Sequence, residues 1–220
     1  MLASSIRFAV RAMSRSPKIA ADQVCSGGAA DDVSRCEWGS SDPLYIKYHD
    51  EEWGTATHDD RVHFEFLVLE SAQAGLSWIT VLRKRENYRK AFADFDAARV
   101  SEFTDAHVEE LLKNPGIIRN RAKIKAAISN AKIFLAIQQE FGSFDKYLYG
   151  FVPGGKPVVF SGSGAIPPRT ELSDTIAADL KNRGFKFFGS TICYAHLQAV
   201  GVVNDHLPSC FRRTGRKMCP

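Results

Sequence analysis

The sequence predicts an all-α domain, and three observations carry the prediction. Apolar residues recur at helical spacing over most of the stretch from Asp59 to Val200. Cap residues and Gly or Pro breakers punctuate these runs. The one strand-like run, Val158, Val159 and Phe160, is short and sits in a Gly-, Pro- and Ser-rich segment over 150–170, read as a surface loop.

The elements follow in order. From Asp59, Val62, Phe66, Leu69 and Gln73 alternate with Phe64, Leu67, Val68 and Ser71, so the first helix is expected to be buried on both faces. Gly75 interrupts it. Ser77 then caps a second helix running to about Ala93, with Trp78, Val81, Leu82 and Tyr88 inward. A short turn over 96–100 leads to a third helix that starts at Thr104, buries Val108, Leu111 and Leu112, and stops at Asn114-Pro115-Gly116. Ile124, Ile128, Ala131 and Leu135 then mark a long helix with a basic face, and two helices near 173–182 and 190–200 close the domain.

Composition bounds the function classes. The chain has 220 residues, 45% of them hydrophobic, enough for one ordinary core. No run reaches the roughly eighteen apolar residues a membrane span needs. A net charge of +4 tolerates a nucleic-acid partner without arguing for one. Five cysteines without regular spacing favour thiols that are free or metal-bound over a disulfide framework. Residues 1–34 are expected to be a disordered extension. Arg7, Arg11, Arg15 and Lys18 among serines, with no acid before Asp22, read equally as an organelle transit peptide or as an unstructured tail. The folded domain is expected over 35–212, with a tail at 213–220.

Cys36 and His49 stand near the domain start, and His206 and Cys210 form an H-x3-C pair near its end. Two thiolates and two imidazoles are a donor set that suits structural zinc. By spacing alone, four unrelated buried residues remain the stronger reading, because the pairs lie too far apart for a finger. No H-E-x-x-H or P-C-x-x-C string offers a catalytic metal site.

The segment around Pro115-Gly116 reads helix, tight turn, helix. Such a turn can bring backbone N–H groups to an anion, and Arg119, Arg121, Lys123 and Lys125 follow at once, as phosphate contacts require. The bland alternative is a connector followed by a solvated basic face. Further upstream, Trp38, Trp53 and Trp78 stand with Tyr45 and Tyr48 in one region, and Glu70 interrupts an apolar run. Either Glu70 meets solvent or an Arg and the rings pack in the core, or aromatic walls and one acid hold a flat cationic ring.

Long ordered strings settle these alternatives by likeness. Cys36-Glu37-Trp38, Asp42-Pro43-Leu44-Tyr45-Ile46, Tyr48-His49-Asp50, Glu52-Trp53-Gly54 and the run from Gln73 to Leu82 resemble the DNA-3-methyladenine glycosylase I family, as do Gly116-Ile117-Ile118-Arg119, Arg183-Gly184-Phe185-Lys186-Phe187 and Val203-Asn204-Asp205-His206. The resemblance implies a helix-hairpin-helix DNA glycosylase fold whose two ends are joined by one structural zinc per chain, bound by Cys36, His49, His206 and Cys210. It implies a base pocket of Glu70, Tyr48 and Trp78, with Trp38, Tyr45 and Trp53 nearby. Glu70, the one candidate catalytic residue, is assigned mainly to recognition of the base, plus stabilisation of the sugar cation if it lies near that ring. Gln73, Gly75 and Leu76 match a loop that plugs the duplex gap, and Pro115, Gly116, Arg119, Arg121 and Lys123 are the further DNA contacts expected. The implied activity is base-excision repair: release of 3-methyladenine from alkylated double-stranded DNA, leaving an abasic site. No membrane and no organic cofactor are expected, and the protein is expected to be a monomer inside the cell, at the nucleoid or nucleus, or in a mitochondrion or plastid if residues 1–21 are a transit peptide.

Where the wider superfamily carries a Schiff-base lysine, this sequence has Asn120, and at the spacing of its usual catalytic aspartate it has Gln138. A strand-nicking activity is therefore not expected. Two rivals remain at this level: a non-enzymatic helix-hairpin-helix binding module, with no use for Glu70, and a zinc hydrolase, which needs an open coordination position.

Overall fold

The computed structural model describes residues 33–39, 42–159 and 166–214. The extension expected over 1–34 and the tail over 213–220 lie almost wholly outside the described residues, as do Cys25 and Cys219.

Ten helices are described: α1 (Pro43–Glu51), α2 (Asp60–Gln73), α3 (Trp78–Leu82), α4 (Arg85–Ala91), α5 (Ala97–Ser101), α6 (Asp105–Lys113), α7 (Arg121–Phe141), α8 (Phe144–Tyr149), α9 (Glu171–Asn182) and α10 (Ser190–Ala199). Two short strands, β1 (Val158–Val159) and β2 (Val203–Asn204), pair in parallel.

Helix α2 is the axis of the fold. The Asp59 carboxylate caps it by accepting from the Arg61 N–H, and residues His63 through Ala72 are buried without a break. A helix apolar all round must be covered all round. Helices α3, α7, α8 and α10 supply the cover. The long α7 starts at Asn120, whose side chain accepts from the Lys123 N–H, and ends at Gly142, which takes the left-handed backbone (φ 86) that terminates a helix.

Four sequence expectations are corrected. The helix expected over 77–93 is two helices, because the chain turns at Arg83 and Lys84 so that α4 packs on the hairpin. Ser77 occupies the cap position, but its hydroxyl meets the Thr80 hydroxyl rather than a backbone N–H. The turn expected over 96–100 is the one-turn helix α5, nucleated by the Asp96 carboxylate accepting from the Arg99 N–H. The strand-like run in the 150–170 loop is the pairing strand β1, which ties that loop to the segment carrying His206.

Helices α1 and α8 went unpredicted. Both have legible starts: Asp42 before Pro43 for α1, and Ser143 accepting from the Lys146 N–H for α8. Helix α8 is too short for periodicity to reveal, and in α1 the apolar residues do not gather on one face.

Candidate functional site

Two features lie side by side, a cluster of metal-ligating side chains and an aromatic cavity.

The cluster joins the chain ends. Cys36 precedes α1, His49 lies in its last turn, and His206 and Cys210 follow β2. All four are buried, and their ligand atoms lie within 4.8 Å of one another. Cys36 Sγ is 3.7 Å from His206 Nδ1, and Cys210 Sγ is 3.5 Å from the same atom and 3.4 Å from His49 Nε2. The outer nitrogens are spoken for. His49 Nδ1 lies 2.7 Å from an Asp50 oxygen, and Arg35 in turn grips that carboxylate through Nε and one terminal nitrogen. His206 Nε2 donates to the Trp53 carbonyl at 3.0 Å. Partners on the far side of each ring fix which nitrogen faces the centre, as they do around bound metals. Without a cation, burial and the neighbouring Cys210 push the Cys36 thiol up to about 11. Two thiols and two imidazoles, all buried and mutually close, fit a metal ion, and among the described residues no fifth His, Cys or acidic donor joins the group.

The cavity shares a wall with this cluster. Trp38 packs edge-on against His49 (5.3 Å between ring centres), and Trp53 against His206 (4.7 Å). Those two indoles meet each other at 4.8 Å. Tyr48 and Trp78 also line the cavity, 5.4 Å apart, and Phe66 packs against both. Tyr45 fixes the start of α3, and so Trp78, by accepting the Ile79 N–H at 3.1 Å. Together these rings enclose about 290 Å³, near the lower limit for a ligand pocket and suited to one small heterocycle.

Glu70 is 3% exposed and lines this cavity from the last turn of α2. Its Oε2 has no hydrogen-bond partner among the described residues, and neither has the indole N–H of Trp78. Buried polar atoms are nearly always paired, so an unpaired acceptor and an unpaired donor at one cavity mark a place for a ligand. The nearby Glu65 shows the contrast. It is buried too, but Arg85 and Arg89 hold it at 2.8 and 2.9 Å.

Burial pushes the Glu70 carboxyl up to about 8. The sign follows directly. Unfolded, the group ionises near 4.5; folded, it keeps its proton to about 8. Its contribution to stability is therefore full below 4.5 and is lost as pH rises towards 8. In Glu70→Gln the loss disappears, so the variant's stability relative to the parent rises by up to about 1.4 kcal/mol per pH unit between pH 5 and 8. Urea unfolding of both proteins at three pH values checks this, and parallel profiles would contradict it.

All six aromatic and acidic residues expected at a pocket, Glu70, Tyr48, Trp78, Tyr45, Trp38 and Trp53, meet at the cavity, and Gln73 joins them. Ile166 and the α10 residues Ala195 and Gln198 complete the lining and were not anticipated. Gln198 was the available signal, a lone amide in an apolar helix. Beyond Gln73, the chain leaves α2 through Gly75, in the left-handed region at φ 81, and Leu76 stands 42% exposed at the tip.

The hairpin residues divide into different roles. The Gly116 N–H donates to Asn114 Oδ1, so it is not open to an anion; glycine is needed there because a Cβ would come within 2.8 Å of Asn87. Arg119 is exposed and has no side-chain partner among the described residues. Arg121 pairs with Glu109, and Lys125 with Asp105, on the surface, where such pairs are worth little. Lys123 departs from the expected outward face and turns inward onto backbone carbonyls of residues 72 and 74. Asn120 caps α7, and Gln138 donates to Asp60, among residues that do not line the aromatic cavity. Buried His196 is a core residue, set against Phe144 and Phe188.

Fold and site define a class, a helical protein with a helix-hairpin-helix element and an aromatic cavity lined by one buried acid. The profile of the methyladenine glycosylase family matches residues 38–213, and the chain belongs to that family. It is 47% identical over 187 residues to DNA-3-methyladenine glycosylase 1 of Escherichia coli strain K12, covering 84% of this chain and all of that one. A crystal structure of 3-methyladenine DNA glycosylase I superposes with a TM-score of 0.78 at 52% identity, over 81% of this chain and 98% of that one. A Staphylococcus aureus 3-methyladenine DNA glycosylase I, solved to show how it recognises 3-methyladenine, gives 0.78 at 36% identity over 84% and 98%.

Proposed function

We propose that the protein is a monofunctional base-excision repair glycosylase that hydrolyses the N-glycosidic bond of 3-methyladenine in alkylated duplex DNA and leaves an abasic site. The observation that carries the reading is the unpaired Glu70 carboxylate inside a cage of indole and phenol rings.

Methylation at N3 leaves adenine cationic, so the bond to the sugar is weakened and the base departs neutral. Flipping the nucleotide out of the stack costs a few kcal/mol. Stacking on Trp78 and Tyr48, with about 0.5–2 kcal/mol of cation–π attraction, offsets that cost. Glu70 distinguishes charged from neutral purines, since a cation in the cage favours its ionised form and a neutral base does not. Uniform binding of the cation does not accelerate cleavage. The rate gain therefore comes from Glu70 acting on the sugar cation as the bond breaks. With Asn120 in place of an amine there is no covalent intermediate to the sugar, and water completes the reaction.

Leu76 and Gly75, beside Gln73, fit the gap left in the duplex, and the Pro115-Gly116 turn sets Arg119 beside the backbone, with Arg121 joining it on exchanging its surface partner Glu109 for phosphate. The metal is read as one structural zinc. Tetrahedral zinc with Zn–S near 2.3 Å and Zn–N near 2.05 Å sets sulfur and nitrogen about 3.6 Å apart, and three of the four sulfur–nitrogen distances here are 3.4 to 3.7 Å. When bound it supplies a cross-link between the chain ends.

Incubating the protein with duplex DNA treated with a methylating agent, and separating the free bases released, tests the reading. Release of 3-methyladenine with strands left uncut is the expected result. Retention of every methylated base, or strand scission without added alkali, would overturn it. The same chromatogram shows whether 3-methylguanine is also released.

A further inference from the structure

Lys123 stands in the first turn of α7, directly after the hairpin, where a phosphate contact is the obvious role. Its ammonium instead donates to the carbonyl of Ala72 at 2.9 Å and to that of Ala74 at 2.5 Å. Carbonyls at a helix C-terminus lack intrahelical partners and carry the negative end of the helix dipole, so a cation there is well placed. Lys123 lines a small cavity together with Val68, Ala72 and Tyr88. Burial lowers the ammonium's proton affinity, as it does for a lysine withdrawn from water.

What lies at each end of this contact gives it meaning. On one side, Ala74 opens the loop that leads through Gly75 and Leu76 to Trp78, and both flanking residues, Gln73 and Trp78, line the aromatic cavity. On the other side, the hairpin is pinned by Lys84 Nζ donating to the Pro115 carbonyl at 2.8 Å and by the Ile118 N–H donating to the Tyr88 hydroxyl at 3.1 Å. Lys123 closes the ring of contacts between the hairpin and the loop at the cavity mouth.

We propose that Lys123 is a positioning residue rather than a phosphate ligand, coupling the seating of the hairpin on the DNA backbone to the placement of the loop over 74–77 beside the cavity. The inference rests on the function proposed above. It differs from a phosphate role in a measurable way. Each phosphate contact contributes about 0.9 to the slope of log affinity against log salt, and a tether contributes nothing.

The test compares the parent with Lys123→Met, which keeps the apolar stem, using a duplex with a stable abasic-site analogue, a methylated duplex and free 3-methyladenine. Expected are an unchanged salt slope for the abasic duplex, free-base affinity within about twofold, and a fall of about 10- to 100-fold in kcat for base release, the scale of a small misplacement remote from the chemistry. A slope shallower by about one phosphate, or base release equal to the parent's, would overturn the proposal. Should Lys123→Met fail to fold, Lys123→Gln drops the charge but keeps a donor, and its slope and kcat are read in the same way. If the parent itself releases no base, the proposed function fails. The salt slopes still report whether Lys123 touches phosphate.

Discussion

Glu70→Gln is expected to lower release of 3-methyladenine from methylated duplex by about 100-fold or more, the usual scale for removing one electrostatic contact to a charged transition state. Affinity for an abasic duplex should change by less than about twofold. The asymmetry follows from where Glu70 sits. It lines the cavity from α2, whereas the hairpin and the exposed Leu76 tip belong to other segments, so it acts on an occupied cage rather than an empty one. Glutamine keeps the size and one acceptor and removes the charge. Because the carboxyl is 3% exposed and lacks a charged partner, the variant should fold at least as well as the parent. Equal losses on the methylated and abasic duplexes would mean that Glu70 serves general DNA binding, and the recognition role would fall.

Removing one of the four candidate ligands, or the zinc proposed to sit among them, is the second large effect. Cys210→Ser should unfold the domain or lower its stability by several kcal/mol, against a typical total of about 5–15 kcal/mol. The pair Cys36 and Cys210 closes nearly the whole folded chain into a loop, and a cross-link over a loop that long removes a large part of the unfolded state's freedom. A strong chelator during refolding should have the same effect on the parent. Circular-dichroism melts beside elemental analysis check both, with one zinc per folded chain expected. A Cys210→Ser protein that melts like the parent but releases no base would show that the metal takes part in the chemistry.

The helical class, the central helix and the hairpin were legible in the sequence because each rests on a long periodic run or a Pro-Gly turn. Helix α2 is the clearest instance, since its two apolar faces foretold burial on all sides. The short helices α5 and α8 escaped, because five or six residues hold too few repeats for a period to show, and α1, as long as α6, escaped because its apolar residues do not gather on one face as those of α6 do. The site was legible by likeness more than by physics. Nothing in the residues around Glu70 said whether it meets water, an arginine or a cavity, and Glu65, five positions earlier, takes the arginines instead. Direction was the missing information for Lys123 as well, since a basic residue on a helix shows its position in sequence but not which way it reaches. The role of Gly116 was likewise hidden, because the atom that forbids a side chain there belongs to Asn87, on a different helix.

The indoles of Trp38 and Trp53 lean on histidines supplied from opposite ends of the chain. Both indoles leave the ribosome well before His206, so the wall of the reading chamber that leans on it is set only once the segment beyond β2 has been made. A chain interrupted before that segment carries every ring of the chamber with one wall unsupported.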